Sequence, residues 1–496
     1  MNANPKDAPI AHIAICGSGF AAEMAAAALS QQLPPNIRIT VAGVDGTVDS
    51  DLFYGNATSP TAYAFNLAAG LSEPKLLLES DTAFSWGTKY VRWAASGRSW
   101  IQCFHLALPI IDGVLFHHYL AKIGESQLDH YLVSATAARK GVFMHPPQPQ
   151  AAAGQQALAR AEYGYQLDPA SYAPLFRGSM NAHRVRRIQG VATEIQCGAN
   201  GISAIRLSNG ETLTADLYVD CSGPDATLLA ATGSTWLGSR RLRAVMARKQ
   251  TAELGPPVRE VTPANYGWRS DSHLQRSVAR LAVYDPESEA EALGSLGASP
   301  ERRAEATIGR RAEAWSGNCV AIGHAASVVE PLTPAPIMLL EREIERLVSL
   351  IPFSTDMTVE RREFNRRFAE DHEHAELFTR ALFENPDLPE TPYWRAARAE
   401  PVGEKLARKI ELFEDRGFPV SYDLEPFNEE DWTILHYGMG RRAARYDRTA
   451  DRAPPDRIRE FLANFRREVD KTVDGMPSHA TYMAELKRYL ARSGQR

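Results

Sequence analysis

The chain has 496 residues with a charged fraction of 23% and a net charge of −5. Its length exceeds what one simple core fills, so two or three interleaved lobes are expected, and the mild negative charge gives no ground for a nucleic-acid or anionic-membrane partner. No apolar run is long enough to span a bilayer. The five cysteines are scattered without C-x-x-C spacing, which argues against a disulfide framework or a zinc site and for a reducing, cytoplasmic setting.

Residues 9–16 are too few for a signal-peptide core and end in a glycine turn, so a buried strand over 12–16 accounts for them better. The turn is Gly17-Ser18-Gly19-Phe20-Ala21-Ala22. A helix over 23–33 and a β-rich run over 37–44 follow, completing a βαβ unit. Strand–G-x-G-x-x-[GA]–helix has a physical logic. Gly17 permits the tight turn, Gly19 lets backbone amides approach a pyrophosphate, and Ala22 allows close helix–strand packing beside Ala21. A purely structural turn is the alternative. The companion acid at the end of the second strand is incomplete, because position 43 is glycine and Asp45 comes late.

Further along, 82–93 and 100–108 read as extended and 118–140 as helical. Residues 146–156, rich in Pro, Gln and Ala, read as a surface loop. A second sheet region spans 183–205, with turns expected at Gly190 and at Asn200-Gly201. Short apolar strands are expected at 217–221, 279–284 and 318–322, and a helix at 338–350 stopped by Pro352. Beyond Thr355, helix-favouring charged residues dominate and prolines punctuate the chain. The expected division is therefore 1–354 followed by a mainly helical 355–496.

Several motifs carry a resemblance when taken together. They are Tyr54-Gly55-Asn56-Ala57-Thr58-Ser59-Pro60, Phe84-Ser85-Trp86-Gly87-Thr88-Lys89-Tyr90 with Trp93, Tyr165 to Phe176, Asp220-Cys221-Ser222-Gly223, and Asn318 to Leu332. In this order the chain resembles the flavin-dependent tryptophan halogenases over nearly its whole length. The resemblance implies an α/β flavin monooxygenase-like FAD-binding fold, a Rossmann-type βαβ plus a substrate sheet, with a helical C-terminal layer. It also implies FAD reduced by a separate flavin reductase, a small aromatic or indole-type substrate of secondary metabolism, and a homodimer. The FAD contacts it implies are Gly17, Gly19, Ala21, Ala22, Asp45, Asn56, Val185, Gly323 and His324. In that family a lysine and a glutamate direct the oxidised halogen onto the substrate, which is the work of a cation and an orienting carboxylate.

The sequence departs from the family at those positions. Ser85 stands where the lysine is expected, and Lys89, four residues on, is about 13 Å away along a strand. The family's E-P-L-E-S-T-G is Glu330-Pro331-Leu332-Thr333-Pro334-Ala335-Pro336, so Thr333 replaces the glutamate and two prolines remove backbone donors. Of W-x-W-x-I-P only Trp268 survives, in Gly267-Trp268-Arg269-Ser270-Asp271-Ser272-His273. Asn56 and His324 replace acids on the cofactor side. His324 is read either as a ribityl ligand or as a solvent-facing residue at a helix start. Asp220 reads as a structural turn residue, and Ser222 lacks the context of a hydrolase nucleophile. Three functions remain: a flavin monooxygenase or oxidase that does not halogenate, a halogenase with a displaced lysine, and a non-catalytic partner subunit that binds FAD weakly.

Overall fold

A computed structural model of the chain describes residues 9–44, 51–106, 108–148, 156–181, 183–399 and 401–493. They fall into two compact units, each assembled from three stretches of chain. The first comprises Met1–Ser80, Leu167–Val245 and Arg302–Glu373; the second comprises Asp81–Gln166, Met246–Glu301 and His374–Arg496. Asp45 and part of the 146–156 loop lie outside the described residues.

The first unit is built on an eight-stranded sheet. Its centre is parallel: His12–Cys16 lies between Arg38–Val44 and Leu217–Asp220, and Cys319–Ala321 pairs with the far side of Leu217–Asp220. Strands covered on both faces need continuous apolar runs. Ile13, Ala14, Ile15, Leu217, Tyr218, Val219, Cys319 and Val320 meet that requirement with no exposure. Helix Phe20–Gln32 follows the first strand and buries its alanine-rich surface almost completely.

Strand Val185–Gly198 adds to the parallel side against Arg38–Val44 and then turns back through Gly201–Leu207. The expected turn at Gly190 is not formed. The strand continues through it as a bulge, with Ile188 opposite Ala42 and Val191 opposite Gly43. Gly190 takes the positive φ that the bulge demands. A Cβ at Gly43 would stand 3.2 Å from the Gly190 carbonyl oxygen, so the absent side chain at 43 has a packing reason.

The second unit carries an antiparallel run of strands, Ser277–Tyr284, Gly267–His273 and Arg259–Ala264. Gly87–Ala94 joins Arg259–Ala264 in parallel and pairs with Arg98–Cys103. The single helix expected over 118–140 is two, Phe116–Ile123 and Val133–Lys140. Gly124 ends the first in the left-handed conformation, as a glycine C-cap does. From Thr358 onward the chain is mainly helical, as the composition predicts, with its longest helices at Thr358–Phe383, Pro455–Asp474 and His479–Ser493. Among the described residues no helix is long and apolar enough to cross a membrane.

Candidate functional site

The glycine turn closes against the strand beside it. Gly17 has φ +153°, and a Cβ there would sit 2.2 Å from the Cys221 carbonyl oxygen. Only glycine lets the first strand turn this tightly. Gly19 is the N-cap of Phe20–Gln32, and no side chain caps the helix. The amide of Glu23 is the first to bond inside it, to the Gly19 carbonyl. The amides of Phe20, Ala21 and Ala22 therefore lack helical acceptors at the positive end of a 13-residue helix. Ser18 is exposed and Gly19 half-buried, while Ala21 and Ala22 lie beneath them. Asp220 is fully buried and accepts from the amides of Ser222, Leu228 and Leu229, which organises the neighbouring loop.

Two further segments meet this turn. A Cβ on Gly323 would lie 2.9 Å from the Ala21 Cβ and 2.4 Å from the Tyr54 hydroxyl, which explains glycine at φ +65°. The His324 amide donates to the Tyr54 hydroxyl at 3.2 Å, and the two rings stack with centroids 3.7 Å apart. His324 is only 3% exposed, so the solvent-facing reading is corrected: the ring packs inward on Tyr54. Asn56 is also occupied. Its Nδ2 donates to the Leu167 carbonyl at 2.9 Å, and the Leu167 amide donates back to the Asn56 carbonyl. Val185 opens its strand opposite Ile39.

Two carboxyls that sequence reasoning missed lie behind these segments on helix Ala335–Ser349. Glu343 Oε2 accepts from the Gly323 amide at 2.7 Å, and Glu341 Oε2 accepts from the Thr61 hydroxyl at 2.6 Å. Both are buried, and burial pushes each carboxyl up to about 8. The helical spacing gave no signal that acids in a Glu-Arg-Glu run would face inward.

The positions matching the family's catalytic pair are held by their own chain. Ser85 is buried; its hydroxyl donates to the Gly87 carbonyl at 3.0 Å and accepts from the Gly87 amide at 3.2 Å. Lys89 pairs with Glu260 at 2.7 Å. Thr333 Oγ1 accepts from the Ala335 amide at the start of Ala335–Ser349, and Pro334 and Pro336 stand where a helix tolerates proline. Next to Ser85 in the same strand, Phe84 stacks on Phe143 at 4.3 Å and meets Tyr163 and His145 edge-on. These rings are scattered in sequence, and no local pattern joins them. In the tryptophan segment, Ser270 and Ser272 are fully buried, and their hydroxyls lack partners among the described residues. His105 pairs with Glu430 at 2.5 Å. Among the described residues no cluster of His, Cys, Asp and Glu could hold a metal ion.

The family model described as tryptophan halogenase matches residues 12–455. The chain belongs to the tryptophan halogenase family. It is 24% identical to a tryptophan 7-halogenase of Kutzneria sp. (strain 744), covering 97% of this chain and 99% of that protein. It is also 24% identical to a tryptophan 7-halogenase of Lentzea aerocolonigenes, covering 81% of each. Among solved structures, a flavin-dependent halogenase from Brevundimonas sp. BAL3 superposes with a TM-score of 0.88 at 28% identity, covering 97% of this chain and all of the other. A flavin-dependent halogenase from Xanthomonas campestris gives 0.88 at 26% identity, covering 96% and 98%.

Membership of this halogenase family implies an enzyme of the flavin oxidoreductase type with FAD as cofactor, reduced by a separate reductase. The residues present fit the dinucleotide's phosphates: an uncapped helix start, bare amides at Phe20 to Ala22, and glycines at 17 and 19. On the flavin side the fit is through backbone and ring faces, because the side chains of Asn56 and His324 are engaged internally.

Proposed function

We propose that this enzyme binds FAD at the Gly17–Ala22 turn and uses the reduced cofactor with oxygen to hydroxylate or oxidise a small aromatic or indole-type molecule without halogenating it. FAD supplies the oxygen-activating redox chemistry when bound. The chain positions the cofactor and keeps water from the reacting groups. One observation carries the reading. The lysine position is Ser85, whose buried hydroxyl is closed onto Gly87, and the neighbouring Lys89 is paired with Glu260. Direct oxygen transfer needs no lysine relay, so the loss of cation and glutamate together fits a changed reaction. The reading places the enzyme in the cytoplasm, alongside a flavin reductase.

The names of the relatives favour a second reading, halogenation with a displaced cation. One experiment separates them. Purified protein is given photoreduced FAD, oxygen, bromide and a panel of tryptophan and indoles, and products are read by mass spectrometry. Products that gain one oxygen atom or lose two hydrogens support the proposal. A brominated product overturns it. Absence of FAD binding, read from visible absorbance at large FAD excess, overturns both readings and leaves a non-catalytic partner subunit.

A further inference from the structure

The cofactor-side segments share a support. The strap that follows Tyr54 reaches helix Ala335–Ser349 through a part-buried chain of hydrogen bonds: Ser59 Oγ to Thr61 Oγ1 at 2.6 Å, and Thr61 Oγ1 to Glu341 Oε2 at 2.6 Å. The Gly323–His324 turn reaches the same helix through the Gly323 amide and Glu343 Oε2. Strap and turn are also locked to each other by the Tyr54–His324 stack and the His324 amide. Glu341 and Glu343 are 1% and 3% exposed, an uncommon place for acids with no cation bonded directly to either among the described residues. The second carboxyl oxygen of Glu341, Oε1, is buried without a partner among the described residues.

We propose that Glu341 and Glu343 are positioning residues for the flavin: from one helix they fix the strap and the Gly323–His324 turn, doing from behind what acids at positions 56 and 324 no longer do from the front. The proposal rests on the FAD-binding reading above. Both carboxyls work in the neutral form. Each can accept a hydrogen bond while protonated, and burial favours that state. The charged and titratable groups around Glu343 are Arg346 and Asp371, the latter held by Arg342 and Arg346. Those around Glu341 are Glu345 on its own helix and the Tyr172 hydroxyl, which donates to Asn66. Ionising either glutamate places a negative charge behind a site that receives an anionic dinucleotide.

The test is FAD affinity, read by absorbance or fluorescence titration of the full chain, alongside thermal unfolding of the apoprotein. Glu343→Gln keeps an acceptor for the Gly323 amide and should retain wild-type affinity at pH 7. Glu343→Leu and Glu341→Leu remove the acceptor and should weaken FAD binding about tenfold or more. Should the leucine variants fail to fold, the Glu341→Gln/Glu343→Gln double variant decides. Wild-type affinity should fall between pH 7 and pH 9, while that of the double variant stays flat. Unchanged affinity in folded leucine variants, or identical pH profiles for wild type and double variant, overturns the proposal while leaving FAD binding intact. A wild type that binds no FAD overturns both.

Discussion

Glu343→Gln carries a pH-dependent stability signature that follows from burial alone. The Glu343 carboxyl has an ordinary value of 4.5 and is pushed up to about 8 in the fold, first by burial, against the help of the Gly323 amide and Arg346. Because the folded value is raised, its stabilising contribution is fully present below 4.5 and is lost as pH rises toward 8. Between pH 5 and pH 7 the unfolded chain has released this proton while the folded protein keeps it. Each pH unit then costs about 1.4 kcal/mol, or about 3 kcal/mol across the interval. Glutamine accepts the same hydrogen bond and takes up no proton. The stability of Glu343→Gln relative to wild type should therefore rise by about 3 kcal/mol from pH 5 to pH 7. Any fixed effect of the new amide group cancels in that difference. Urea denaturation of both apoproteins at pH 5, 6 and 7 measures it. A difference that stays constant with pH refutes the buried neutral carboxyl and, with it, the assignment of this helix face.

Other expectations are equally specific. Gly19 has φ −94°, which any residue adopts, so Gly19→Val should leave thermal unfolding unchanged while abolishing FAD binding; unaltered FAD affinity would refute the assigned turn. Ser272→Ala and Ser270→Ala each remove a buried hydroxyl without a partner among the described residues and should stabilise the protein by about 1 kcal/mol, read by chemical denaturation. Lys409 is buried against Glu425 at 2.9 Å with its ammonium 4.4 Å from the Trp432 ring, so Lys409→Met should cost about 3–5 kcal/mol by stranding a buried carboxylate. Adding Glu425→Gln should restore most of that loss, and a double-mutant cycle shows whether it does. Ser85→Lys combined with Thr333→Glu should give no brominated product and should lower the melting temperature, because both native side chains serve as local backbone caps and position 85 has no room for a long cation.

What the sequence made legible was the part of the fold written in local pattern. The apolar runs at 12–16, 217–221 and 318–322 read as short strands and are strands in the sheet at 12–16, 217–220 and 319–321, and the glycines at 17 and 19 mark where the first one turns. The fold and the family follow from those runs and from motif order. Other features depend on contacts between residues far apart in the chain. Gly190 reads as a turn until Gly43 stands opposite its bulge. The 118–140 stretch keeps a helical composition across Gly124, whose left-handed cap breaks it. Glu341 and Glu343 lie in a charged run with Arg342 and Arg346, and nothing local marks them as buried. Their partners, Thr61 and Gly323, lie 280 and 20 residues away. At position 85 the loss of lysine is visible in the sequence, but that the serine hydroxyl closes onto Gly87 is not.

The substitutions at 56, 85, 324 and 333 share a physical direction. At 56, 85 and 333 the side chain bonds to its own chain, Asn56 to Leu167, Ser85 to Gly87 and Thr333 to Ala335, and at 324 the ring stacks on Tyr54. None of these four positions carries a carboxylate or a lysine, and buried acids stand instead on helix Ala335–Ser349, where burial pushes their carboxyls up to about 8. The family's relay needs a cation and an orienting carboxylate, and positions 85 and 333 carry serine and threonine instead. That distribution of charge is the ground on which we propose oxygen transfer from the flavin itself rather than release of a mobile halogenating species.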